Sequence, residues 1–298
     1  MKRAISKEFM EALLHGELAP VLELVKKDDS LDLEMRGKKI IIYYQGLKLF
    51  SITEESNEKY KYGGMDKKYR RRKDGTEIGL PILSIDNIGD YIIKGKNVID
   101  TYDMKSHFEY EVKQMIVKEN NRATTAKGTD FYVIDTEYKN DDNAQFDIVA
   151  LHIKSDSLTR KKAIASIAII EIKQGENSLK TTQKNPGIHR HLEDFQKHIS
   201  DNEKIKSFIS DMKEILQKKY ELGLIEGLSQ PTVNKLSIRD EIEFYIVLSD
   251  FKKASSLLQE ELKTIEDECK FFTSSFMGYG LYDWTIKTKE EILEMTNR

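Results

Sequence analysis

The thirteen residues AIASIAIIEIKQG, 163–175, decide how this chain is read. Ile167, Ala168, Ile169 and Ile170 follow one another without interruption, so an extended segment here is apolar on both faces and reads as a strand buried on both sides. The run then meets Glu171 and Lys173. Two residues apart on a strand, these side chains leave from the same face. Burying charge without partners is unfavourable by several kcal/mol, so a compensating group is expected close by.

The stretch before it supplies one. AQFDIVALHIK, 144–154, sets Asp147 as an isolated acid among Phe146, Ile148, Val149 and Leu151. DFYVIDTEY, 130–138, is also β-rich, and the KNDDN between the two runs predicts a hairpin turning near Asp141 and Asp142. Two adjacent strands thus each carry one carboxylate into an apolar sheet. Carboxylates that repel one another are most readily held together by a divalent cation, and hard oxygen ligands favour Mg²⁺ or Mn²⁺. The competing arrangement is an ion pair between Lys173 and either acid, without chemistry.

The Glu-x-Lys spelling has little weight, because Glu111/Lys113, Glu137/Lys139, Glu171/Lys173, Glu261/Lys263 and Glu268/Lys270 all match it. The pairs at Glu261 and Glu268 fall in a charge-rich helical pattern and read as a solvated face. Only Glu171 stands at the end of a wholly apolar strand.

Outward from this centre the chain alternates. Ser106 and Glu109 form a capping-box pattern ahead of Phe108, Val112, Met115 and Ile116, predicting a helix from about His107 to Asn120. After the third strand, Ile188, Leu192, Phe195 and Ile199 keep helical spacing, as do Phe208, Met212, Ile215 and Leu216 within 204–222. EIEFYIVLSDF, 241–251, is a strand, and KASSLLQEELKTIEDECK, 253–270, reads as a final long helix holding the single cysteine, Cys269. The order from residue 107 is helix, strand, strand, strand, helix, strand, helix.

The first third is different. Ile5 to Lys27 suits one or two amphipathic helices broken near Gly16 and Pro20. LDLEMR, KKIIIYYQ and LKLFSIT, separated by Gly37 and Gly46, predict a three-stranded antiparallel meander. Residues 57–73, NEKYKYGGMDKKYRRRK, hold eight Lys or Arg against Glu58 and Asp66, a local charge of +6 in a chain whose net charge is −3. With Tyr60, Tyr62 and Tyr69 interleaved, this segment suits contacts to phosphates and bases as well as it suits a solvated basic loop. A soft boundary at 90–97 gives an N-terminal helix-and-meander region, 1–95, and a core, 96–298.

Composition sets outer limits. With 39% hydrophobic and 33% charged residues the chain is expected to be globular. No apolar run approaches the roughly 20 residues of a membrane span and no basic-then-apolar leader is seen, so a cytoplasmic protein without membrane contact is expected. One cysteine excludes an internal disulfide and a cysteine-built zinc site.

The pattern FD at 146–147, 23 intervening residues and EIK at 171–173, in that order of elements, resembles the PD-(D/E)XK, restriction-endonuclease-like nuclease superfamily, and also uncharacterised bacterial proteins with a similar meander and core. The likeness covers about half the chain, with Phe146 at the proline position. It implies an α/β fold: a mixed central sheet flanked by helices, order αβββαβ, extended N-terminally by helices and the antiparallel meander. It implies that Asp147 and Glu171 bind Mg²⁺ together with the Ile172 carbonyl, and that Lys173 orients or helps to deprotonate the attacking water. A glutamate of the first core helix often joins such sites. Glu111 is the choice here and Glu119 the reserve, Glu109 being explained by the capping box.

Glu137, which with Asp135 marks one face of the first strand, falls opposite Asp147 or its neighbour. It either joins the metal shell or ends the strand in water. His189 and His191 open the helix after the third strand, from which side chains can reach a phosphate, although surface positions are the commoner reading for such histidines. Lys67, Lys68, Tyr69, Arg70, Arg71, Arg72 and Lys73 are the expected nucleic-acid contacts. The resemblance thus implies a Mg²⁺-dependent nuclease acting on DNA in restriction, defence or repair, with homodimerisation compatible with double-strand cutting. The alternatives are a non-catalytic nucleic-acid-binding protein on the same fold and an interaction protein.

Overall fold

The computed structural model describes residues 2–55, 59–72, 74–101, 108–122, 128–140, 144–182, 187–252, 254–265, 269–274 and 278–297. It is a mixed α/β structure with two sheets, dividing into two compact units: 1–114 with 213–225, and 115–212 with 226–298. Residues 90–97, where composition suggested a boundary, lie inside a helix. Ser106 and His107 of the expected capping box, the hairpin turn at Asp141 and Asp142, Glu268 and Lys73 lie outside the described residues.

In the first unit, α1 (Lys7–Leu14) is capped by the Ser6 hydroxyl, which accepts from the Phe9 N–H at 2.9 Å, and α2 (Ala19–Lys27) begins with Pro20 in its first turn. The expected break between them is present. The sheet that follows has four strands rather than three: β1 (Leu31–Met35), β2 (Lys39–Tyr44), β3 (Leu47–Glu54) and β4 (Tyr60–Gly63), all antiparallel in that order. Gln45 and Gly46, at φ 49° and 70°, make the two-residue turn between β2 and β3. The additional strand comes from the basic segment, where Lys59 and Lys61 face out while Tyr60 and Tyr62 are half-buried, the Tyr60 ring lying tilted 5.1 Å from that of Phe9. Helix α3 (Ile88–Asp100) buries Tyr91, Ile92, Val98 and Ile99.

Helix α4 (Phe108–Asn121) is present, but its core stripe differs from expectation: Phe108 and Met115 are exposed, and Val112, Ile116 and Val117 are buried. The second unit then holds one five-stranded sheet in the order β5 (Phe131–Lys139), β6 (Gln145–His152), β7 (Ile164–Gln174), β8 (Ser237–Ser249), β9 (Lys270–Ser274). β5, β6 and β7 are mutually antiparallel, whereas β8 runs parallel to β7 and β9 parallel to β8. Between them run the short α5 (Ser157–Lys162), α6 (Gly187–His198), α7 (Asn202–Glu221) and α8 (Gln230–Lys235). The N-terminus of α5 is capped by Asp156, which accepts from the Leu158 and Thr159 N–H groups.

The expected long C-terminal helix is corrected. α9 (Ser256–Thr264) is nine residues, β9 follows it with Phe271 and Phe272 buried, and Cys269 is a buried residue just before that strand. The chain closes on α10 (Lys289–Thr296). Among the described residues no helix is long and apolar enough to cross a membrane.

From Ala165 through Lys173 every residue of β7 is buried. Each fully buried aliphatic side chain contributes about 1.5–3 kcal/mol relative to exposure, so the isoleucines of this strand outweigh the several kcal/mol lost in desolvating a charged neighbour. That surplus lets the sheet hold Glu171 at its centre.

Candidate functional site

The β6–β7 register pairs Ile148 with Ile170, and one residue further along Asp147 stands across from Glu171. Asp147 Oδ2 accepts the Ile172 N–H at 2.9 Å, a bond that fixes the carboxylate against β7. Glu171 is completely buried, Lys173 is 4% exposed and Asp147 8% exposed. By the alternation of side chains along a strand, all three share one face of the sheet. The sequence reading of these residues as one group is therefore matched by their arrangement.

His191 on α6 joins them. Its Nδ1 lies 3.2 Å from Glu171 Oε2, with both side chains shielded from water. His189, one turn position away, instead bonds Thr264 Oγ1 at 2.6 Å and lies 3.7 Å from Glu261. His189 is thus directed to α9 at a partly exposed position, and one expectation is corrected: Glu261 is a buried partner on α9 rather than part of a solvated face.

On β5 the pairs Thr136–Ile148 and Tyr138–Phe146 leave Glu137 across from Asp147. Its backbone takes a left-handed φ of 50°, a conformation that costs a non-glycine residue about 1–3 kcal/mol. Its carboxylate accepts from the Gln145 side-chain amide. Asp135 pairs with Val149, putting it on the Asp147 face. It is wholly buried, with Oδ1 accepting the Thr136 N–H at 2.9 Å. The face thus collects three buried acids, Asp135, Asp147 and Glu171, with one buried lysine and one nearly buried histidine. Chemically it offers carboxylate oxygens beside an imidazole and an ammonium, groups that can share protons.

The helix glutamates divide between the units: Glu111 is half-buried in the first and Glu119 half-buried in the second. Among the described residues no group of three or more His, Cys, Asp or Glu side chains is arranged to hold a metal ion.

The basic segment is more structured than a loop. After β4, Lys67–Arg70 forms a 3-10 turn, Lys48 pairs with Asp66 at 2.9 Å, Arg70 pairs with Glu77 at 2.8 Å, and Arg71 bridges to Glu77 through the backbone. Lys68 lies 4.6 Å over the Tyr69 ring. Lys67, Lys68, Arg71 and Arg72 remain exposed, while Arg70 and Tyr69 are half-buried.

Comparison with known proteins finds no matching family model, no matching curated protein and no matching solved structure.

Proposed function

We propose that this chain is a metal-dependent phosphodiesterase acting on nucleic acid, with DNA as its substrate and a restriction-endonuclease-like core at its centre. The observation that carries the reading is the wholly buried Glu171 on β7 with Asp147 across from it and Lys173 on the same face. An antiparallel β5–β6–β7 followed by a parallel β8 supports the same core. So does the position of α4 ahead of the sheet.

The donor set fits a hard divalent cation: two carboxylates and the Ile172 carbonyl are oxygen donors that suit Mg²⁺ or Mn²⁺. Such an ion, when bound, would neutralise charge developing on the scissile phosphate and lower the pKa of its water. The Ile172 N–H orients Asp147, and the His191 ring orients Glu171. Lys173 holds the attacking water and eases its deprotonation, while Glu119, which lies in the same unit, serves as a further acid from α4. Exposed Lys67, Lys68, Arg71 and Arg72 supply phosphate contacts whose strength falls with salt.

The test is incubation of plasmid, linear and single-stranded DNA with Mg²⁺ or Mn²⁺, comparing wild type with Lys173→Ala. Wild type is expected to cleave at least one substrate, and the variant to lose about 100-fold or more in rate. Equal cleavage by both removes Lys173 from the mechanism. DNA binding without cleavage would replace this reading by a non-catalytic nucleic-acid-binding protein.

A further inference from the structure

At the opposite end of the five-stranded sheet a second set of charges surrounds His152. The register pairs His152 with Ser166, Ala168 with Glu243, and Tyr245 with both Ile170 and Lys270. These positions alternate with those of Asp147, Glu171 and Lys173, so they occupy the other face. They border a cavity of about 760 Å³, within the range of small-molecule sites.

Within this cavity the acids are already answered. Glu243 meets His152 Nδ1 at 2.5 Å and the Tyr245 hydroxyl at 3.1 Å. Asp283 meets His152 Nε2 at 2.6 Å and Lys154 Nζ at 3.2 Å. Two further cations line the same space, Arg239 and Lys270, and among the described residues neither takes part in an ion pair. Thr159 and Ser166 add hydroxyls, and Ile164 and Ile286 an apolar wall. Trp284, next to Asp283, is 81% exposed and stacks on Tyr282 at 5.6 Å, an aromatic face directed to solvent.

A guanidinium outside any ion pair and an ammonium held over the Tyr245 ring, beside hydroxyls, are the chemistry of a bound phosphate. An apolar wall, with an exposed indole one residue along the chain from the Asp283 that lines it, suits the chemistry of a stacked base. We propose that this cavity binds a nucleoside monophosphate, with Arg239 and Lys270 on the phosphate and Trp284 against the base. The site is separate from the proposed hydrolytic centre and does not depend on it.

Trp284 is the single tryptophan of the chain, so its emission reports on occupancy directly. The 298-residue chain, in EDTA to exclude metal, is titrated with adenosine 5′-monophosphate, adenosine, inorganic phosphate and an oligonucleotide lacking terminal phosphates. The nucleotide is expected to change the emission saturably, phosphate to compete with it, and adenosine to bind at least about tenfold more weakly. The exposed pair Arg239→Gln/Lys270→Gln should weaken nucleotide binding by about tenfold or more, and Lys173→Ala should leave it unchanged. The assignment fails if calorimetry finds no saturable nucleotide binding below about 10 mM, or if the double variant binds as well as wild type. It also fails if Lys173→Ala abolishes binding, or if only the oligonucleotide binds.

Discussion

Among the described residues two glutamates lie completely buried in strands, Glu34 in β1 and Glu171 in β7, and their surroundings are of opposite kinds. Glu34 receives Lys219 Nζ at 2.8 Å, the lysine itself 1% exposed, and Arg36 stands 3.6 Å away. Glu171 is met by an imidazole at 3.2 Å and shares its face with two more buried acids, Asp135 and Asp147, beside Lys173. The first is the pattern of an ion pair that completes a fold. The second accumulates acid where a purely structural site would dilute it, which is the arrangement expected of a site completed by a cation or a proton.

Stability measurements on single variants test that contrast most strongly. Lys219→Met keeps the bulk of the side chain but leaves Glu34 short of a buried partner, and about 3–5 kcal/mol of unfolding free energy should be lost. Glu171→Gln removes a charge from a crowded acidic face and should change stability by no more than about 1 kcal/mol. Urea denaturation of both variants checks the pair of values. Similar losses would mean that Glu171 is a second structural ion pair and would withdraw the main support for the proposed chemistry.

A divalent ion should sharpen the same contrast with a smaller effect. If Asp147 and Glu171 hold Mg²⁺ or Mn²⁺, either metal stabilises the folded protein by about 2.7 kcal/mol at a hundredfold excess over Kd. The rise in denaturation midpoint should disappear in Glu171→Gln and in Asp147→Asn, and persist in Lys219→Met. A rise of the same size in Glu171→Gln would relocate the metal.

How much of this was readable beforehand follows from the range of each interaction. The uninterrupted isoleucines of β7 and the lone acid of β6 declare themselves locally, and strand alternation then assigns Asp147, Glu171 and Lys173 to one face. β4 carried a local signal as well, since Lys59, Tyr60, Lys61 and Tyr62 alternate with period two, but the density of basic residues masked it. β9 goes unread because the helical pattern expected over 253–270 runs up to its first residue. Phe271 and Phe272 are too short a run to contradict that pattern. The partners of the buried charges were beyond reach: Glu34 finds Lys219 across 185 positions, and His152 finds Glu243 and Asp283 across 91 and 131. No spacing rule links residues so far apart in one sequence.

His152 stands between the two glutamates in kind, because its cluster is balanced by a charge that titrates. Burial alone would lower the pKa of the imidazole. The hydrogen bond and charge of Glu243, followed by those of Asp283, outweigh it and hold the group above its ordinary value. Lys154 faces Asp283, the Tyr245 hydroxyl faces Glu243, and Lys270 lies over the Tyr245 ring, so each neighbouring element contributes to the balance. With the folded value raised, the stabilisation is complete below the unfolded value of about 6.5 and fades as pH rises through the folded one. A neutral imidazole has one N–H, so one of its nitrogens must then face a carboxylate without donating. The loss should be about 1.5 kcal/mol, the lower range for a hydrogen bond to a charged group. Comparing wild type with His152→Gln in urea at pH 5.5 and pH 9 isolates this contribution, since the glutamine does not titrate. The stability advantage of wild type should be larger at the lower pH, and an advantage independent of pH would show that His152 serves the fold by its shape rather than its charge.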